Sequence, residues 1–203
     1  MTGLILKDFL NLKRHSKIYL ILMIFYFILG IANKDFTMFG AMITVFAAIM
    51  PITSMAYDEK NNWDRYALTM PISRKDLVLS RYVFGAIFLI IAFVITLVLN
   101  LMLGSGTFFE DILANLEILA LGIIIMAVIF PAIFKLGVEK GRVFMMLVLF
   151  TPTIAMVLLS KIGFTLSNEE SVKALLYFLP VIAVAAFAVS ILISISIYGK
   201  KEF

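Results

Sequence analysis

The sequence predicts an all-α integral membrane protein, with six transmembrane helices behind an interfacial leader helix and both termini cytoplasmic. Three observations carry that expectation. Hydrophobic residues make up 63% and charged residues 15% of the chain, against roughly 45–50% and 25% in soluble domains, and mean hydropathy is +1.10. Long apolar runs stand at 18–32, 36–57, 82–103, 112–134, 143–160 and 174–198, and a hydrocarbon core about 30 Å thick takes a helix of about 20 residues. Lys and Arg supply the third: fourteen of the seventeen lie in the termini and in the loops that share a side with them. That excess places the shared side in the cytoplasm.

The apolar runs are continuous and rich in Leu, Ile, Phe and Ala, whereas barrel strands would alternate over segments of about 10 residues. With 203 residues they make one transmembrane domain, 1–203. The leader, 1–17, contains LILKDFLNLKR, which sets Leu6, Phe9 and Leu10 at helical spacing opposite Lys7, Asn11 and Arg14. Such a helix lies in the interface with its cations among anionic headgroups, so membrane lipids are expected partners. It is either an anchor or an elbow that moves the first span. A basic leader, an apolar run and Gly30-Ile31-Ala32 also follow the order of a signal peptide, but this leader is long for an n-region and amphipathic. The first span is short and draws on its flanks. Pro51, Pro131, Pro152 and Pro180 lie inside or at the edges of spans, each removing a backbone bond and permitting a kink. The net charge of +4 follows from topology, and no nucleic-acid partner is expected.

Several chemistries are excluded or disfavoured. There is no Cys, hence no disulfide, thiolate nucleophile or Cys-held metal. His15 is the sole histidine and has no partner for catalysis or metal binding. Glu169 and Glu170 have the look of paired protease acids, but no second histidine completes such a site. With Ser167 and Asn168 they read better as a capping box that opens a helix. No GxxxxGK[ST] is present, so this chain does not hold ATP in a P-loop, and it is expected to be neither an enzyme nor a direct cofactor binder. Glu117 is the one charge well inside a predicted span. Since a charge at depth costs on the order of 2.5–3.5 kcal/mol, ion and proton pathways usually show several. The deep polar groups are neutral: Thr44, Thr53, Thr96, Asn100, Thr151, Thr153, Ser190, Ser194 and Ser196. They either bond helix to helix or, for the six Thr and Asn positions, line a substrate path. Neutral groups and kinks suit an amphipathic or hydrophobic molecule better than an ion.

The loop 58–81 holds the most specific pattern. Trp63, Tyr66, Ala67 and Met70 follow i, i+3, i+4, i+7, giving an apolar face, with Asp58, Glu59, Asp64 and Arg65 elsewhere on a short helix. Pro71 stops it. Ser73 with Asp76 makes a capping box that starts a rod running through Arg81 into the third span. The loop is either a solvated connection with Trp63 at the headgroups or a docking knob anchored by an aromatic.

Four segments carry a resemblance: DEKNNWDRYALTMPISRKDLVLSRY, LILKDFLNLKR, FKLGVEKGR and YGKKEF. In that order, on a six-span frame, they resemble the short permeases of the ABC type-2 exporter family, and within it those of phenol-soluble-modulin exporters. The resemblance spans nearly the whole chain and implies a dimer of permease subunits, identical or not. Each engages a separate ATPase that binds ATP and Mg2+ and drives peptide, toxin or antimicrobial export. It implies a coupling helix over about 58–69, with Asp58, Glu59, Trp63, Asp64, Arg65 and Tyr66 as contacts. Gly137, Glu139 and Arg142 supply a second, smaller contact. The family often has re-entrant helices between its last two spans, for which 161–173 is too short. A non-transporting anchor or sensor that recruits a cytoplasmic partner through the same loop is the alternative.

Overall fold

The computed structural model describes residues 2–12, 16–33, 35–103, 108–161 and 169–201, and the backbone alone for residue 2 and for 16–18, 152–153, 155–161 and 169–176. Expectations at His15, Lys34, Ser167 and Asn168, and for the Thr153 side chain, lie outside the described residues. Among the described residues the chain is α-helical without strands: α1 (Thr2–Leu12), α2 (Ser16–Asn33), α3 (Thr37–Lys60), α4 (Trp63–Ala67), α5 (Arg74–Leu103), α6 (Phe108–Leu136), α7 (Val138–Lys161) and α8 (Glu169–Gly199). Four are long and apolar enough to cross a membrane: α3, α5, α6 and the Tyr177–Gly199 part of α8. Tyr19–Asn33 in α2 is a shorter apolar helix, so six crossings need α2 and α7 to span as well.

The helix α6 is the centre of the bundle, packing on α3, α5, α7 and α8, while α2 lies along α3. Its buried stripe of Asn115, Gly122, Met126, Ile129 and Ile133 recurs at three, four and seven residues, the period of one helix face. A Cβ at Gly122 would sit 2.5 Å from Thr44 Cγ2 and 2.8 Å from Leu89 Cδ2. Glycine there lets α6 lie close against both α3 and α5, where dispersion between small residues has to supply the association that water supplies in soluble cores. A polar thread joins the far side of α6: Tyr82 Oη lies 2.6 Å from Ser190 Oγ and 2.7 Å from Ser194 Oγ, and Ser190 Oγ donates to Ala127 O at 2.6 Å.

One boundary differs from the sequence expectation. The predicted helix over 58–69 is divided, because α3 continues to Lys60 and carries Asp58 and Glu59 as its last turn. Asn62 then takes the left-handed conformation, φ 50°, which asparagine tolerates better than most side chains. The helix after it has only five residues, Trp63–Ala67. The start of α5 is as expected: Ser73 Oγ donates to Asp76 Oδ2 at 2.7 Å and accepts the Asp76 amide at 3.1 Å, while the Ser73 amide reaches Asp76 Oδ2 at 3.3 Å. These reciprocal bonds satisfy donors that a helix start leaves open.

A charged surface at one end of the bundle

The face that α1 turns toward the bundle is a mixed one, with a carboxylate between two leucines, and not the Leu6–Leu10 side. Leu4, Asp8 and Leu12 are buried, at i, i+4 and i+8, whereas Leu6 and Leu10 are exposed and Phe9 rests on the rings of Phe84 and Phe88 in α5. Asp8 is 0% exposed, so its charge requires partners. Arg81 of α5 pairs with Asp8 and with Asp58 of α3. Ser54 Oγ donates to Asp8 Oδ1 at 2.8 Å, and Lys7 Nζ reaches Asp58 Oδ2 at 2.6 Å and Asp8 Oδ1 at 3.3 Å. Two cations and two carboxylates from three helices thus neutralise one another. Lys7 Nζ also lies 4.5 Å from the centroid of the Trp63 ring in α4, within cation–π range. Burial, helped by the Arg81 guanidinium and opposed by Asp8 and Asp64, pulls the Lys7 ammonium down to about 8.

Around this cluster the remaining predicted contacts gather on one surface. The Glu59 carboxylate accepts the Val138 amide at 2.6 Å, placing negative charge at the start of α7, where the helix dipole favours it. The turn into α7 is made by Gly137 at φ 85°, with Glu59 Oε1 2.8 Å from where a Cβ would stand. Gly137→Val combines a left-handed β-branched residue with that clash. It should destabilise the purified protein by about 1–3 kcal/mol, read as a lowered unfolding midpoint in detergent. Across the surface, Arg74 Nη1 donates to the carbonyls of Gly199 at 2.7 Å and Lys201 at 3.0 Å, closing the end of α8 as a basic residue near a helix C-terminus can. Asp64 meets Tyr198 and Lys201 of that same end, and burial pushes its carboxyl above the usual range.

The predicted positions therefore separate by exposure. Arg65, Tyr66, Glu139 and Arg142 face outward, Glu59 is exposed while it holds α7, Trp63 and Asp64 are half-buried, and Asp58 is turned inward onto Arg81. A cavity of about 250 Å³ opens beside Asp58, Asp64, Arg65 and Tyr198. A second of about 890 Å³ lies between α2, α3 and the start of α7, touching Tyr19, Thr53, Tyr57, Lys60, Glu139 and Arg142. The two loops predicted as separate contacts are thus continuous through Glu59 and Val138.

The deep neutral groups are more scattered. Thr44 is buried at the Gly122 crossing. Thr96 donates to Ala92 O at 2.8 Å within its own helix, and Thr151, which is exposed, donates to Leu147 O at 2.6 Å. Asn100 is buried near the other end of α5. Thr53 borders the larger cavity. Lys7, Asp8, Ser54 and Arg81 were not singled out by sequence as site residues. Their signal was the Leu4–Asp8–Leu12 spacing in α1, together with charges of opposite sign just outside the second and third apolar runs.

Several long apolar helices around a tightly crossed centre, with charge gathered at one end, define a multi-pass membrane protein. A family model described as ABC-2 family transporter protein matches residues 3–199, and the chain belongs to that family. It is a permease of the ABC transporter class, whose membrane subunits work with an ABC ATPase. No curated protein and no solved structure matches.

Proposed function

We propose that this chain is the permease subunit of an ATP-driven exporter in a bacterial cytoplasmic membrane, dimerising to form a path for an amphipathic or hydrophobic cargo such as a peptide. The family membership over residues 3–199 carries the reading. ATP and Mg2+ belong to a separate ATPase, and the chain itself is not an enzyme. The charged end faces the cytoplasm, as its share of the Lys and Arg residues supports, and six spans bring both termini there. On that surface Arg65 and Tyr66 of α4 and Glu139 and Arg142 of α7 meet the ATPase. Nucleotide binding then biases the bundle between two states through its preference for one of them.

The test is reconstitution with the partner ATPase in proteoliposomes, offering a fluorescent amphipathic peptide on the ATPase side. The expected result is ATP-dependent accumulation inside, abolished by vanadate. A stable complex that binds ATPase yet moves no such peptide under any nucleotide condition would favour the anchor reading and overturn this one.

A further inference from the structure

Thr53, Tyr57 and Lys60 follow one another at four and three residues along α3, so one side of that helix lines the cavity of about 890 Å³. Ala56 beside them is small and leaves the space open. Val138, Glu139 and Arg142 at the start of α7 border it as well, and Tyr19 Oη of α2 lies 3.4 Å from Thr53 Oγ1. Charge therefore gathers at the mouth, where α3 ends and α7 begins, and hydroxyls lie about two turns further along α3.

Four charged groups face this space: Glu59 and Lys60 from α3, and Glu139 and Arg142 from α7. Glu59 is committed, since its carboxylate accepts the Val138 amide at 2.6 Å at the positive end of α7. Lys60, Glu139 and Arg142 have no ion-pair partner among the described residues. Two cations against one uncommitted carboxylate leave a single positive charge, at the end of a helix long enough to cross a membrane. From Arg142, Met146 and Phe150 follow at steps of four residues, and both are exposed. The charged mouth thus continues into an apolar strip along α7, the order of head and chains in a lipid.

We propose that this cavity holds the headgroup of one glycerophospholipid from the cytoplasmic leaflet, with its phosphodiester between Lys60 and Arg142 and its acyl chains along Met146 and Phe150. The choice of leaflet alone rests on the reading that the charged end is cytoplasmic. A phosphodiester carries the one negative charge that the cations leave open. Arg142 offers it a planar fork and Lys60 a point charge, while the Tyr19 and Thr53 hydroxyls meet the glycerol oxygens. The bilayer supplies such a group permanently beside α3 and α7, whereas a soluble phosphate would leave the apolar strip unused.

Native mass spectrometry of the purified permease alone, delipidated and then titrated with phosphatidylglycerol, reads the contact without any ATPase. One lipid per chain should be retained in preference to a diglucosyl-diacylglycerol with the same acyl chains, which lacks the phosphodiester. Lys60→Gln and Arg142→Gln should each weaken retention about fivefold, the worth of one cation near an anionic headgroup. Ala56→Leu, which fills the space and keeps every charge, should displace the lipid too. Equal retention by wild type and the Lys60→Gln/Arg142→Gln double variant overturns the site, as does equal retention of the glycolipid. Loss of lipid only where the unfolding midpoint also falls would make it an effect of folding, and displacement by glycerol phosphate would assign the site to a soluble anion; either result overturns the lipid. Topology is read separately: Thr69→Cys, in a chain without Cys, should react with a membrane-impermeant maleimide only after cells are opened. Reaction in intact cells overturns the cytoplasmic reading and the choice of leaflet, and leaves the retention results to decide the site.

Discussion

Arg81→Ala should destabilise the protein by about 3–5 kcal/mol, the usual penalty for removing one partner of a buried ion pair. The loss should be visible as a large drop in the unfolding midpoint of the purified chain and in its yield from the membrane. Arg81 is 5% exposed, and its guanidinium is held by Asp8 at 0% and Asp58 at 5%. Without it, two carboxylates share the single ammonium of Lys7 in a place where water cannot compensate. The cost therefore comes less from the bonds that vanish than from the charge that stays. Adding Asp58→Asn to Arg81→Ala leaves one carboxylate for one ammonium, and the double variant should recover a substantial part of the loss. If the double variant were less stable than the single by the full cost of a second independent site, Asp58 and Arg81 would not be coupled, and the cluster would be a coincidence of proximity.

The span positions could be read because insertion depends on length and apolarity, both of which are local in sequence. Positions of α3, α5, α6 and α8 follow from that. The capping box at Ser73 and Asp76 was equally local, needing only a three-residue spacing. What could not be read was which charged residues would be buried. The apolar face of α1 looked like Leu6, Phe9 and Leu10, and taken alone an amphipathic helix should bury that face. In a membrane Leu6 and Leu10 can face lipid, which leaves the mixed face of Leu4, Asp8 and Leu12 free to turn inward where partners are waiting. Asp8 turns inward because Arg81 and Ser54 lie on helices brought beside it only by the tertiary fold. The same holds for Asp58, which a loop reading leaves in solvent. Extending α3 by one turn to Lys60 rotates that carboxylate onto Arg81. The left-handed Asn62 that divides the predicted helix had a local signal in the Asn61-Asn62 pair, which the unbroken helical periodicity of DEKNNWDRY outweighed.

That division decides which substitution tests ATPase docking. Trp63→Ala with Asp64→Ala is the natural choice from the sequence pattern, yet Trp63 lies against Lys7 and Asp64 meets Tyr198 and Lys201. Their loss should loosen the fold as well as any interface. Arg65 and Tyr66 lie on the same short helix but face outward, Tyr66 at 58% exposure, and Arg and Tyr are among the residues that most often carry interface energy. Arg65→Glu with Tyr66→Ala should therefore weaken ATPase association by about 30-fold or more, the consequence of losing a contact worth about 2 kcal/mol. The unfolding midpoint of the isolated permease should barely move, because exposed substitutions usually stay within about 0.5 kcal/mol. Binding measured on detergent-solubilised subunits, alongside thermal unfolding of the permease alone, separates the two effects. Normal association in the Arg65–Tyr66 variant would move the docking surface off α4 and onto Glu139 and Arg142 of α7, which the bond between Glu59 and Val138 places on the same face.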